Sequence, residues 1–282
     1  MSTLVLSQEE LQGFMKDTSM NNQYGIQVFL SLDPARAQAL LPPPLKLAGT
    51  GLGFIYIVNI REPTFAPWYM EGGIGIMAEY NGTAGIHFLG LMLSGPGAFM
   101  GACSGRDGSG LPKKLCERIL VERLGQRGRC RIERNGMPLV DVQLTMGAYN
   151  DPCMAELTGA QEKATPANPV VLDGGCLLFR HRFGGKGAFS LEMIHYDSPT
   201  RFYSWEPATA EVALASTADD PWGELPVTGV LGAGWMVSDN WVKSMNNLYT
   251  YPEAEAGDAL RYLFRGRYDQ CTLCREHQWY AY

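Results

Sequence analysis

The chain has 282 residues, 46% of them hydrophobic, with a net charge of −6 and a pI near 5.3. That length buries a sizeable core in one large domain or two small ones. The negative balance excludes a general nucleic-acid binder, which needs a basic face for phosphates, and with no apolar run of about 18 residues no membrane span is expected.

The N-terminal stretch MSTLVLSQEELQGF lacks the cationic start and apolar core of a secretory leader, and the seven cysteines are odd in number. Reduced thiols and a cytoplasmic location are the expectation. Within that stretch SQEE forms a capping box: Ser7 can accept early helix amides while Glu10 reaches back, so a helix is predicted to start there. A second helix is predicted from Asp33, with Pro34 at its first position, ending at the prolines 42–44.

From there to about residue 240 the signals are mostly β. GFIYIVNI (53–60) and IHFLGLML (86–93) read as strands. CRIE-RNG-MPLVDVQLTM (130–146) and CLLFRHRF-GGKG-AFSLEMIHY (176–196) read as hairpins. In the first of these Val140, Val142, Leu144 and Met146 alternate with polar residues, one face buried and one wet. ERILVERL (117–124) fits helix or strand. Residues 150–169 form a polar connection with room for a short helix, and DALRYLF (258–264) is helical. The sum is a single domain over 1–282, mainly β (α+β), as an antiparallel cone or barrel with peripheral helices, a core over about 20–240 and a C-terminal extension over 242–282.

Chemistry concentrates in GRDGSGLPKKLCER (105–118). A lysine amine is a nucleophile only as the free base, and its ordinary pKa of about 10.4 keeps it protonated at neutral pH. Burial and a neighbouring cation both favour the neutral form. Two ammonium groups about 6 Å apart at an effective dielectric near 20 repel by roughly 2–3 kcal/mol. Adjacent lysines can therefore make one amine reactive toward a ketone, forming a Schiff base.

GRDGSGLPKKL closely resembles the lysine motif of the acetoacetate decarboxylase superfamily, in which this device is known. The resemblance continues in LLPPPLKL (40–47), YMEGG (69–73), LTMGAYN (144–150), WEPATAEVAL (205–214) and ELPVTGVLGAGWMVSD (224–239), the last two standing where the family has its last strands and final helix. It implies Lys113 as the Schiff-base nucleophile, Lys114 as the charge that activates it, and Glu71 as the carboxylate facing the reacting carbons. It further implies that Arg106 anchors a carboxylate or fixes the loop, that no metal or organic cofactor is needed, and that the protein is a homo-oligomer. Trp68, Tyr69 and His87 are candidates for the substrate pocket. Family decarboxylases also carry an arginine and a second acid whose places here hold Gln23 and Ile55, which suggests a larger or less polar pocket.

The functional expectation is a cofactor-independent lyase decarboxylating a β-keto acid. Its alternatives are an aldolase-dehydratase on a larger keto acid in secondary metabolism and a non-catalytic small-molecule-binding β-barrel. Glu192 and Tyr203 lie on later strands within possible reach of the site. Cys271 and Cys274, with His277 nearby, could form half a zinc site, but no second ligand pair follows, and packed or surface thiols are expected instead.

Overall fold

Both N-terminal helix signals operate as read. Ser7 N donates to Glu10 Oε2 at 2.7 Å and Glu10 N to Ser7 Oγ at 3.2 Å, capping α1 (Gln8–Met15). Asp33 Oδ1 accepts from Arg36 N at 3.0 Å at the start of α2 (Pro34–Gln38). The computed structural model describes residues 4–15, 18–183 and 189–269. Cys271, Cys274 and His277 lie outside them.

The strands are β1 (Ser19–Leu32), β2 (Lys46–Leu47), β3 (Leu52–Pro63), β4 (Tyr69–Tyr80), β5 (Thr83–Ser94), β6 (Lys113–Leu115), β7 (Arg118–Leu124), β8 (Arg127–Arg134), β9 (Met137–Met146), β10 (Val170–Leu172), β11 (Gly175–Phe183), β12 (Phe189–Asp197), β13 (Thr200–Leu214), β14 (Val227–Trp241) and β15 (Ser244–Thr250). The short helices α3 (Ala98–Cys103) and α4 (Met154–Thr158) and the longer α5 (Glu253–Leu263) lie between and after them. Among the described residues all fifteen strands join one sheet, with β5-β4-β3-β1-β14-β13-β9-β8-β7 as its main run. The ambiguous segment 117–124 is thus mostly β7, and the segment 224–239, expected to span last strands and a final helix, is mostly β14, which pairs with β1 along nearly its whole length.

The sheet is mixed rather than purely antiparallel, because β5 has two parallel neighbours on one edge. It meets β11 only at Ile86↔Cys176, and β6 at Leu91↔Lys113 through Leu93↔Leu115. The sheet therefore forks, and the lysine strand occupies the fork.

Side-chain alternation gives the central strands two apolar faces. Ile26, Val28 and Leu30 of β1 share one with Ile55, Ile57, Ile74 and Ile76, and pack on Ile132, Val140 and Val142 as the sheet folds back on itself. Ile119 closes this layer, its N–H donating to Ser94 Oγ at 3.1 Å. The opposite face carries Gln23, Gln27, Phe29, Phe54, Tyr56 and Glu71, which line a cavity. Among the described residues no helix is long and apolar enough to cross a membrane.

Candidate active site

Strand β6 is short, and its two lysines obey the strand rule that neighbours face opposite sides. Lys113, level with Leu91, turns toward the cavity face; Lys114, level with Met92, turns toward the other. The segment before β6 makes room for the first of them. Residues Ser104–Ser109 form a single π-helical turn continuing α3. A Cβ on Gly105 would stand 2.8 Å from both Cε and Nζ of Lys113, so only glycine leaves space for the amine.

The Lys113 amine sits 2.7 Å from Glu71 Oε2, with the two side chains 2% and 6% exposed. Its other neighbours are the Gly101 carbonyl at 3.5 Å and the Tyr69 ring, whose centroid is 6.0 Å away. Glu71 is held on β4 opposite Val58 and Leu93, on the cavity face of the sheet. Three buried phenols surround it. Burial first, and then the Glu71 charge, push the hydroxyls of Tyr56 and Tyr69 well above the usual tyrosine range, and burial, then Cys176 and then Glu71, raise that of Tyr196. Burial and then Glu71 raise the Cys176 thiol to about 12. All four side chains are therefore protonated in the field of one carboxylate. Tyr56 uses its proton on Gln23 Oε1 at 2.9 Å, while the Tyr69 hydroxyl has no hydrogen-bond partner among the described residues.

The cavity measures about 410 Å³. Phe29, Phe54, Phe88, Leu91, Leu111 and Phe202 make it largely apolar, and Gln23, Gln27, Tyr56, Tyr196 and Cys176 add neutral polar groups. Its charged lining residues are both acids, Glu71 and Asp173; among the described residues no arginine, lysine or histidine is in the wall itself, and Lys113 stands behind Glu71. Leu157 and Gln161, from the connection over residues 150–169, close one side. No group of three or more metal-ligating side chains is assembled among the described residues.

Lys114 belongs to a different construction. Its amine contacts Asp220 Oδ1 at 2.8 Å, Asp269 Oδ1 at 3.1 Å and the Asp219 carbonyl at 3.1 Å. Arg134 pairs with the same two carboxylates, Asp220 and Asp269. Two cations thus meet two anions, at the residue the sequence reading took as the charge that helps activate Lys113. Its charge is matched locally, on the far side of the strand.

The acetoacetate decarboxylase family model matches residues 6–251. The chain belongs to the acetoacetate decarboxylase family. It is 32% identical over 273 residues, 96% of each chain, to the "CLA biosynthesis isomerase" of Lactiplantibacillus plantarum. Among solved structures it resembles acetoacetate decarboxylase from Legionella pneumophila, with a TM-score of 0.68 at 16% identity over 83% of this chain and 88% of that one. It also resembles the enduracididine biosynthesis enzyme MppR, solved with the condensation product of pyruvate and imidazole 4-carboxaldehyde. There the TM-score is 0.61 at 12% identity over 86% and 94% of the chains. At these identities the two structures share the fold.

Within the family frame, several candidates fall outside the cavity. Trp68 is 46% exposed and lies over Gly95. Arg106 stacks on the Tyr268 ring, 4.9 Å from its centroid, and accepts the Gly110 amide through its own carbonyl, so it fixes the loop. His87 is buried with Nδ1 3.1 Å from the Leu177 carbonyl, edge-on to Phe179, beside a small separate void. Glu192 pairs with Arg180 at 2.9 Å, and Tyr203 donates to Asp239 at 2.7 Å. Gln23 does line the cavity, whereas Ile55 faces the apolar core and its neighbour Tyr56 takes the inward place. Tyr56, Tyr196, Cys176 and Gly105 were not picked out from sequence. The period-2 pattern around Ile55 and the glycines before the lysines were the available signals.

Proposed function

We propose that the protein is a Schiff-base enzyme that shifts a carbon–carbon double bond next to a ketone. The observation that carries this reading is the buried Lys113–Glu71 pair at the wall of an apolar cavity whose charged lining residues are acids. A β-keto acid would bring its carboxylate beside Glu71 with no lining cation to receive it, an arrangement that disfavours binding of such a substrate. An uncharged ketone suits the same wall. The isomerase name of the Lactiplantibacillus plantarum relative supports the choice.

The steps follow from electron flow. Lys113 gives its proton to Glu71 and attacks the carbonyl carbon; the carbinolamine hydroxyl takes that proton back from Glu71, leaves as water, and an iminium remains beside the Glu71 carboxylate. In a β,γ-unsaturated ketone the carbon between iminium and alkene is then strongly acidic, because the cation accepts its electron pair. Glu71 carboxylate removes that proton, forming a dienamine, and returns a proton at the γ carbon. Water hydrolyses the conjugated iminium, releasing the α,β-unsaturated ketone and the amine. Nothing is gained or lost overall. The phenols around Glu71 supply neutral donors to the developing charge at oxygen.

The test pairs two substrates. With a β,γ-unsaturated alkyl ketone, rising enone absorbance and deuterium at the γ carbon in D2O are expected, and borohydride should add the substrate mass to the Lys113 peptide. Carbon dioxide release from acetoacetate without any double-bond shift would restore the decarboxylase reading. A condensed product from pyruvate and an aldehyde would favour the aldolase-dehydratase. No adduct with any ketone would leave a binding protein.

A further inference from the structure

We propose that Gly266, Arg267, Tyr268 and Asp269 form a strap that positions the Lys113 strand, with Arg267 as its key positioning residue. The inference rests on Lys113 being the nucleophile. The strap lies beyond the family-matched span of 6–251, just after α5.

The need for it arises at the fork of the sheet. Past Ile86↔Cys176, β11 and β5 part, and the segment leading into β6 enters between them. Gly110 is pressed so close to β11 that a Cβ there would stand 2.2 Å from the Phe179 carbonyl oxygen. This junction brings two buried carbonyls, of Gly110 and Phe179, to one spot without a strand partner between them. Buried acceptors left without donors are costly, so something must donate to both. Arg267, 4% exposed, donates from Nη2 to both carbonyls. From Nη1 it reaches His181 Nδ1 at 2.8 Å, which puts the ring proton on Nε2, facing the Tyr268 hydroxyl at 2.9 Å. A lysine in its place could not fork across these acceptors.

The other three residues grip the same segment. Gly266 packs where a Cβ would be 2.8 Å from Pro112 Cβ and 2.5 Å from the Leu89 carbonyl oxygen. Tyr268 lies under the Arg106 guanidinium. Asp269 contacts Lys114 and Arg134. Four consecutive residues therefore hold the stretch 106–114 from its π-helical turn to the lysines. None of them lines the reaction cavity, so the strap acts on where the amine stands and not on what it meets.

The test compares wild type with Arg267→Ala, Arg267→Lys and Asp269→Asn. Cyanoborohydride trapping of 2-heptanone on the Lys113 peptide reads the amine, and amide hydrogen exchange reads the strand. For Arg267→Ala, trapping should slow by about tenfold or more, as expected for a displaced reacting group, with little change in the half-saturating ketone concentration. Amides of 111–115 should exchange faster while those of β1 and β14 stay protected, and millimolar guanidinium should restore trapping better than Arg267→Lys does. Wild-type trapping in a folded Arg267→Ala protein, or unchanged exchange at 111–115, overturns the strap. Should Arg267→Ala not fold, Asp269→Asn decides: faster exchange at 113–115 with slower trapping supports the strap, and wild-type values for both overturn it. If wild type itself forms no adduct, the Lys113 reading fails, and exchange at 111–115 alone judges the strap.

Discussion

Replacing Lys113 by methionine should destabilise the protein more than most single substitutions, and pairing it with Glu71→Leu should reverse the loss. The two charges are 2.7 Å apart with side chains 2% and 6% exposed. At that distance and an effective dielectric near 20 their attraction is about 6 kcal/mol, largely offset by the several kcal/mol needed to dehydrate each ion. Lys113→Met deletes the attraction but leaves Glu71 dehydrated, so a loss of about 3–5 kcal/mol is expected. Each kcal/mol shifts the midpoint by about 2–4 °C in a chain of this size class, giving a fall of roughly 6–20 °C. Lys113→Met/Glu71→Leu removes both dehydrated ions and should return to wild-type stability or exceed it by about 1–4 kcal/mol. Urea unfolding followed by tryptophan fluorescence on the four proteins of the cycle measures this. Single variants as stable as wild type, or a double variant equal to the sum of the singles, would refute the claim that the pair is a dry, mutually dependent unit.

Asp220→Asn should cost about 3–5 kcal/mol, since Lys114 and Arg134 would lose the more buried of their two shared carboxylates. Asp269→Asn, with its side chain 36% exposed, should cost about 1 kcal/mol or less in the same unfolding assay. Gly105→Ala should keep the fold and abolish ketone trapping, because the added methyl carbon would stand 2.8 Å from the Lys113 nitrogen; retained trapping would show that the amine works from another position. Burial lowers His87 from 6.5 to about 4, so it binds a proton in the unfolded chain before the native one. Its contribution to stability is complete above pH 6.5 and declines as pH falls toward 4, by roughly 3 kcal/mol in all. His87→Phe should flatten that part of a stability-against-pH curve, and an unchanged slope would assign the loss elsewhere.

Strands with clean apolar runs were legible: 53–60 and 86–93 fall inside β3 and β5, and both hairpins form, the first with a register shift between Ile132 and Glu133. The strands read less well where composition is mixed. β4 holds Gly72, Gly73 and Gly75, residues that weaken a strand signal yet permit close approach of β3 and β5. β1 carries Asn21, Asn22 and Gln23 among its apolar residues, and of these Gln23 lines the cavity. At the site, Lys113 and Glu71 were found by motif, and the structure brings them together. The orientation of Lys114 turned on β6 being a strand of only three residues, too short for any periodicity to show. Asp220 and Asp269 lie 106 and 155 positions further along the chain than Lys114, a separation over which local pattern carries no information.

The opposite facing of the two lysines makes β6 a rivet driven through the sheet. A slip of one residue that moved Lys114 into the place of Lys113 would still put a lysine on the cavity face, so the doubled residue alone does not protect the register. The acid pocket behind it does: were Lys114 to slide forward into the chamber, Leu115 would fall opposite Asp220 and leave a dehydrated carboxylate without its cation. The head on the far side thus decides which lysine faces the cavity.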